Sequence, residues 1–148
     1  MAVAALQALF DESRGGVFFV PGNPASKSVQ AGAKEAGYAY FHVDGKNITR
    51  KEQLLNALAT ALRLPKHFGH NWDALEECLV DMDVGEADGV VVYYDHIDAL
   101  HGAHPDQVQT LVEICRDAVA SWKEDGTPFL VLFSGTTAPK GVSKLKEE

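Results

Sequence analysis

Basic residues are missing from the middle third of the chain. From His67 to Cys115 the sequence has eleven aspartates and glutamates but neither lysine nor arginine, although the 148-residue chain has 13 basic residues, 21 acidic residues and a formal net charge of −8. A surface of one sign repels nucleic acid and attracts a basic protein. The sequence therefore argues against direct nucleic-acid binding and leaves two interpretations of these acids, solubility and a basic protein partner.

Long apolar runs and a cysteine framework are missing as well. No stretch approaches the roughly 20 apolar residues that a membrane span needs. The N-terminal MAVAALQALFDE has no basic leader, so we interpret it as an amphipathic helix rather than a signal peptide. The two cysteines, Cys78 and Cys115, lie in helical patterns without metal-ligand spacing, which is typical of buried thiols in a reducing compartment. We expect a cytoplasmic protein that does not bind membranes.

The common catalytic motifs are also missing. The sequence has neither a GxxxxGK[ST] phosphate loop nor a GxSxG nucleophile elbow. Five of its six histidines lie in the segment from His67 to Cys115 that lacks basic residues, at His67, His70, His96, His101 and His104. They include two HxxH pairs, but neither pair has the HExxH arrangement of a helical zinc site. Asp73 and Glu77 resemble a hydrolase dyad only in spacing, because an exposed pair has no means of separating its two pKa values. We expect no enzyme, metal or cofactor, and a histidine-dependent metalloenzyme is the least favoured alternative.

The sequence does contain alternating strand and helix patterns. Four runs rich in Val, Phe or Tyr and bounded by Gly, Pro or Asp predict strands at residues 17–21, 38–43, 89–94 and 129–133. Between them, a capping box at Thr49 and Glu52 opens one predicted helix, and Pro105 opens a longer one that Gly126 ends. This order predicts an α/β domain with a small parallel sheet covered by helices.

The predicted elements suggest one domain over residues 1–134. Residues 1–37 form an N-terminal extension, and residues 135–148, which lack periodicity, are expected to be a flexible C-terminal tail. We expect the strand at 38–43 to be interior, because the N-terminal unit needs an edge to pair with.

Reactive side chains are densest in KHFGHNWDALEECL, residues 66–79. Asn71 is a helix N-cap candidate, and Trp72, Leu75, Cys78, Leu79 and Met82 recur at the spacing of a buried face. Asp73, Glu76, Glu77 and Val80 fall together on the opposite side at 100° per residue. Like charges at this spacing destabilise a helix by roughly 0.2–0.5 kcal/mol per pair, and no basic residue on this helix compensates. The pattern favours a face kept for a cationic partner over an ordinary solvated face.

The stretch LRLPKHFGHNWDALEECL resembles the signature of the barstar family, intracellular inhibitors of the extracellular ribonuclease barnase. The resemblance extends from YAYFHVDG to FLVLFS, roughly residues 38–134, with the order of elements unbroken. It implies a parallel sheet of three strands, to which the run at 17–21 adds a fourth. It also implies inhibition by occlusion, in which a loop and the following helix plug the ribonuclease active site and acidic side chains take the place of substrate phosphates.

Carried over by position, the resemblance implies partner contacts from His67, Gly69, Asn71, Asp73, Glu76, Glu77 and Asp81. Four positions depart from the family: His67 replaces a tyrosine, Glu76 a tryptophan and Glu77 an aspartate, and Ser121 falls where the family's long helix supplies another acid. Such changes at interface positions alter specificity. We expect a protein that is monomeric when free and inhibits a basic ribonuclease, and the alternative is an intracellular module that binds a basic protein other than a nuclease.

Overall fold

The computed structural model describes residues 3–65 and 71–145 of the chain. Its elements in chain order are α1 (Val3–Asp11), β1 (Gly16–Pro21), α2 (Ser26–Glu35), β2 (Tyr38–Asp44), α3 (Lys51–Ala61), α4 (Trp72–Val80), β3 (Gly89–Asp95), α5 (Asp98–Ala103), α6 (Pro105–Glu124), β4 (Phe129–Gly135) and β5 (Ser143–Lys144). None of these helices has the length and apolar character of a membrane span.

The strands form one parallel sheet in the order β2-β3-β4-β1-β5. Every residue of β3 and β4 is buried, as expected for central strands covered on both faces. The predicted fold class, an α/β domain with a small parallel sheet covered by helices, is confirmed.

The prediction that the strand at 38–43 is interior is wrong. β2 lies at one edge of the sheet and pairs only with β3, whereas β1 joins the far side through β4. Only two residues of β2 are buried, and its side chains include polar groups such as that of His42. A half-exposed strand tolerates an edge position, whereas the fully buried β3 and β4 require neighbours on both sides.

The segment expected to be a flexible tail contains the fifth strand. β5 pairs with β1 at Phe18 and Phe19, and the Leu145 N–H donates to the Phe19 carbonyl at 2.8 Å. Val142 and Leu145 are buried, so this short segment covers the edge of β1. Its two apolar side chains stand among lysines and polar residues and give no periodic run, which explains why the sequence did not predict a strand.

Each face of the sheet has its own apolar core. On one face α3, α4, α5 and α6 pack against alternate strand residues such as Val90, Val92 and Tyr94. On the other, α1 and α2 pack against Val91 and Tyr93. The N-terminal extension therefore covers the face that α4 does not.

The predicted capping box of α3 forms differently. Both the N–H and the hydroxyl of Thr49 donate to Oε1 of Gln53, at 2.9 and 3.2 Å, while Glu52 lies 3.9 Å from Arg50. The helix begins at Lys51, so the side chain that reaches back is one residue later than predicted.

Candidate functional site: the acidic face of α4

α4 is fixed at both ends. The Asn71 side chain accepts from the Ala74 N–H at 2.8 Å, which confirms the predicted N-cap. Leu75 and Leu79 are buried in the core, and the Trp122 indole N–H of α6 donates to the Leu79 carbonyl at 2.8 Å. The last carbonyls of a helix have no partner within it, so this bond anchors the end of α4 to α6.

Exposed carboxylates line the outer side of α4. Asp73, Glu77 and Asp81 follow one another at four-residue steps, and all three are exposed. Among the residues that the structure describes, none of the three forms a salt bridge. Asp73 lies in the first turn, where the helix dipole favours negative charge.

Glu76 faces a carboxylate of the neighbouring helix. It lies beside Asp117 of α6, and the interaction with this carboxyl group, followed by partial burial and the charges of Asp117, Asp73 and Glu77, raises the pKa of Glu76 above its ordinary value. Together Asp73, Glu76, Glu77, Asp81 and Asp117 make up what we call the acidic face.

An open groove of about 420 Å³ runs beside the acidic face. Glu77 and Asp81 line it together with apolar side chains and Arg63, at the turn where α3 ends. The same groove borders Cys78, where burial and the charges of Glu77 and Asp81 raise the pKa of the thiol. The thiol stays protonated at neutral pH, so it is a poor nucleophile.

The structure offers no support for a carboxylate dyad. Asp73 and Glu77 are both exposed, and the groove that Glu77 borders is open to solvent, unlike the enclosed apolar pocket that raises the pKa of a general acid. Their arrangement suits the binding of cationic groups rather than proton transfer.

A family model described as Barstar (barnase inhibitor) matches residues 38–134, more than half of the chain. The chain belongs to the barstar family. The barstar region runs from β2 to the penultimate residue of β4 and includes α4 with its acidic face. No curated protein matches the chain.

Solved structures show where else this fold occurs. "Structure of Drosophila ORC bound to DNA" is similar at a TM-score of 0.64 and 13% identity, over 96% of this chain and 41% of that chain. "Structure of the Aeropyrum Pernix ORC2 protein (ADPNP-ADP complexes)" is similar at a TM-score of 0.58 and 14% identity, over 90% of this chain and 39% of that chain. The chain spans about two-fifths of the length of those proteins, and the likeness concerns the fold alone.

The site residues that the barstar resemblance implied meet different outcomes. Asp73, Glu76, Glu77 and Asp81 lie together on α4 or at its end, and Asn71 caps the same helix. His67 and Gly69, with His70, lie outside the described residues. The spacing of 100° per residue placed Val80 with the acids. In the structure Val80 is half-buried and packs against the core, on a helix that α6 contacts.

Sequence reasoning missed two residues that lie close to α4. Asp117 stands one helical turn before Ser121, the position at which the barstar family supplies an acid, so testing adjacent turns of α6 would have found it. Lys51 of α3 was missed too, and its ammonium lies 5.3 Å from the centre of the Trp72 ring. No sequence pattern links α3 to α4 in this way.

Proposed function

We propose that the chain inhibits a basic ribonuclease by placing the acidic face against the active site of the enzyme. The observation that carries this proposal is the row of exposed carboxylates at Asp73, Glu77 and Asp81, which forms no salt bridge within the described residues. Membership of a family described as barnase inhibitors supports the ribonuclease as the partner.

The fixed position of α4 suits this task. Its N-cap, its buried leucines and its bond to Trp122 hold the carboxylates in place before binding, which reduces the entropy that association costs. Residues four apart rise about 6 Å along a helix, so Asp73, Glu77 and Asp81 reach separate cations of one active-site cleft. A lysine or arginine of the partner would also relieve the repulsion between the neighbouring carboxyl groups of Glu76 and Asp117.

We also propose that the chain is a cytoplasmic, cofactor-free, non-enzymatic protein that is monomeric when free. Its free thiols at Cys78 and Cys115 suit a reducing compartment. A basic partner other than a nuclease is the second candidate, because the carboxylates alone favour a cation and not an enzyme class.

The test is calorimetric titration of barnase with Asp73→Ala and Glu77→Ala. Each variant should lose about 2 kcal/mol of binding free energy, roughly 30-fold in affinity, as charged hot spots do at interfaces. Glu35→Ala is the matched control, since it removes an exposed carboxylate from α2 on the opposite face of the sheet and should bind as the parent does.

Thermal melts accompany these titrations. Glu77→Ala should melt at or slightly above the parent, because it removes repulsion between like charges, whereas Asp73→Ala should melt close to the parent, because the lost repulsion is offset by the lost interaction with the helix dipole. Parent-like binding by Asp73→Ala and Glu77→Ala would refute the role of the acidic face. Unfolding of either variant would assign that acid to the fold instead.

A further inference from the structure

A second cluster of polar groups lies at the carboxyl ends of β2 and β3, away from the acidic face. Asp44 and Asp95 are the last residues of these strands and stand opposite each other in the sheet register, and His96 follows directly. Side chains that end parallel strands meet at one edge, which is where open α/β sheets bind their ligands. Neither HxxH pair of the sequence contributes to this cluster.

The three side chains converge on one point. One carboxylate oxygen from each aspartate and one ring nitrogen of His96 all lie within 4.8 Å of one another. Nδ1 of His96 is 3.0 Å from Oδ1 of Asp95. In a tetrahedral zinc site, two ligands at about 2.1 Å from the metal lie about 3.4 Å apart, so this pair needs to separate by only a few tenths of an ångström to bind one ion.

Nδ1 of His96 has no satisfactory hydrogen-bond partner. The atom is buried, although the side chain as a whole is 42% exposed, and it lies at ion-pair distance from Asp95 without the alignment of a hydrogen bond. The backbone of His96 has a φ of 54°, in the left-handed region that residues other than glycine rarely adopt. Its amide is held there by the Asn23 side chain, which accepts from the His96 N–H at 2.8 Å. A buried nitrogen without a hydrogen-bond partner, in a strained residue that the loop holds in place, is suited to a metal ion.

Asp95 is held by neighbours outside the cluster. His42 Nε2 lies 2.8 Å from Oδ2 of Asp95, and the His42 ring stacks on Tyr93 with centroids 5.6 Å apart. The Gly45 N–H donates to Oδ1 of Asp95 at 3.2 Å, and a Cβ at Gly45 would come 2.3 Å from the Asp95 carbonyl. Ligating carboxylates in proteins are oriented by such outer hydrogen bonds. Asp44 is exposed, and its Oδ1 accepts from the Lys46 N–H at 3.0 Å, which holds this carboxylate at the end of β2.

We propose that Asp44, Asp95 and His96 bind one divalent transition-metal ion, with Zn²⁺ as the representative ion and His42 as the residue that positions Asp95. One imidazole and two carboxylates are a ligand set that zinc accepts, and three protein ligands leave a position for water. The site is independent of the proposed ribonuclease inhibition, because none of its residues belongs to the acidic face.

The test uses the full chain after removal of metals with a chelator. Titration with Zn²⁺ in a calorimeter should give one site per chain, and nuclear magnetic resonance should show the ring signals of His96 shifting before those of His104. His96→Asn and Asp44→Asn should each weaken binding at least about tenfold, the scale at which site residues act. Asparagine suits both positions, because it tolerates the left-handed backbone of His96 and has the shape of Asp44.

His104→Asn is the matched control, since it removes an exposed histidine whose side chain caps no helix. It should bind Zn²⁺ as the parent does and melt at or above the parent temperature, because asparagine is a favourable residue at the N-cap position of α6. Unchanged affinity in His96→Asn, or a parent chain that binds no Zn²⁺, would overturn the proposal. Retained affinity in both asparagine variants would assign the ion to other histidines and would overturn it equally.

Discussion

Replacing Trp122 with phenylalanine should separate the anchoring of α4 from the general packing of the core. Trp122 is 9% exposed, packs against Phe129 and donates to the Leu79 carbonyl at 2.8 Å. In Trp122→Phe that carbonyl, in the last turn of α4, loses its donor, and a buried acceptor left unsatisfied costs about 1–3 kcal/mol. The smaller ring also leaves about 40 Å³ empty, which at about 24 cal/mol per Å³ adds about 1 kcal/mol. We expect a loss of about 2–4 kcal/mol in the free energy of unfolding.

The assay is urea unfolding followed by circular dichroism, with Trp72→Phe as the control. The chain has only these two tryptophans. Trp72 is half-buried, and a phenylalanine there still offers Lys51 an aromatic face, so the control should lose less than about 1 kcal/mol. Equal losses in the two variants, or a loss below about 1 kcal/mol in Trp122→Phe, would show that the bond to Leu79 does not anchor α4.

Three further predictions concern charge and capping. Because the folded-state pKa of Glu76 is raised, its charge opposes folding at neutral pH, and parent stability should rise as the pH falls towards 4.5. Glu76→Gln should be more stable than the parent at neutral pH, and its stability should rise less than that of the parent as the pH falls. A difference in melting temperature between variant and parent that is the same at every pH would contradict this prediction. Association with barnase in stopped-flow mixing should slow steeply as salt approaches about 0.5 M, where the screening length is roughly half that at 0.1 M; a rate independent of salt would leave solubility as the role of the acids. Asn71→Ala should cost about 1 kcal/mol of stability and Asn71→Gly only a few tenths in urea titrations, and equal costs would argue against the cap.

The local features of α4 could be predicted because they depend on short-range rules. Asn71 precedes a run whose apolar residues recur at helical spacing, and both the cap and the buried leucines follow from that pattern. The parallel sheet was predictable for the same reason, since four apolar runs alternate with helical segments.

The arrangement of the strands depends on long-range choices that no local pattern records. The sequence of β1 does not show which edge of a three-stranded sheet it joins. In the structure β1 pairs with β4, and α2 crosses from β1 to β2 over the face opposite α4. Short β5 is stabilised by pairing with β1 and by burial of Val142 and Leu145, contacts that exist only after the sheet has formed.

Contacts between elements were the least predictable part of the two sites. Glu76 lies beside Asp117 of α6, and no sequence pattern around either residue predicts that the two are close in space. Asp44 and Asp95 converge because β2 and β3 pair in register, while the HxxH spacings of the sequence drew attention to other histidines.

Steady-state kinetics of barnase in the presence of the chain show whether the acidic face occludes the active site of a basic ribonuclease. Occlusion predicts competitive inhibition, in which increasing amounts of the chain raise the apparent KM for an RNA substrate and leave kcat unchanged, with one chain bound per enzyme. Asp73→Ala and Glu77→Ala should weaken this inhibition, and Glu35→Ala should not. Full barnase activity at saturating chain, or inhibition that lowers kcat without changing KM, would contradict the account.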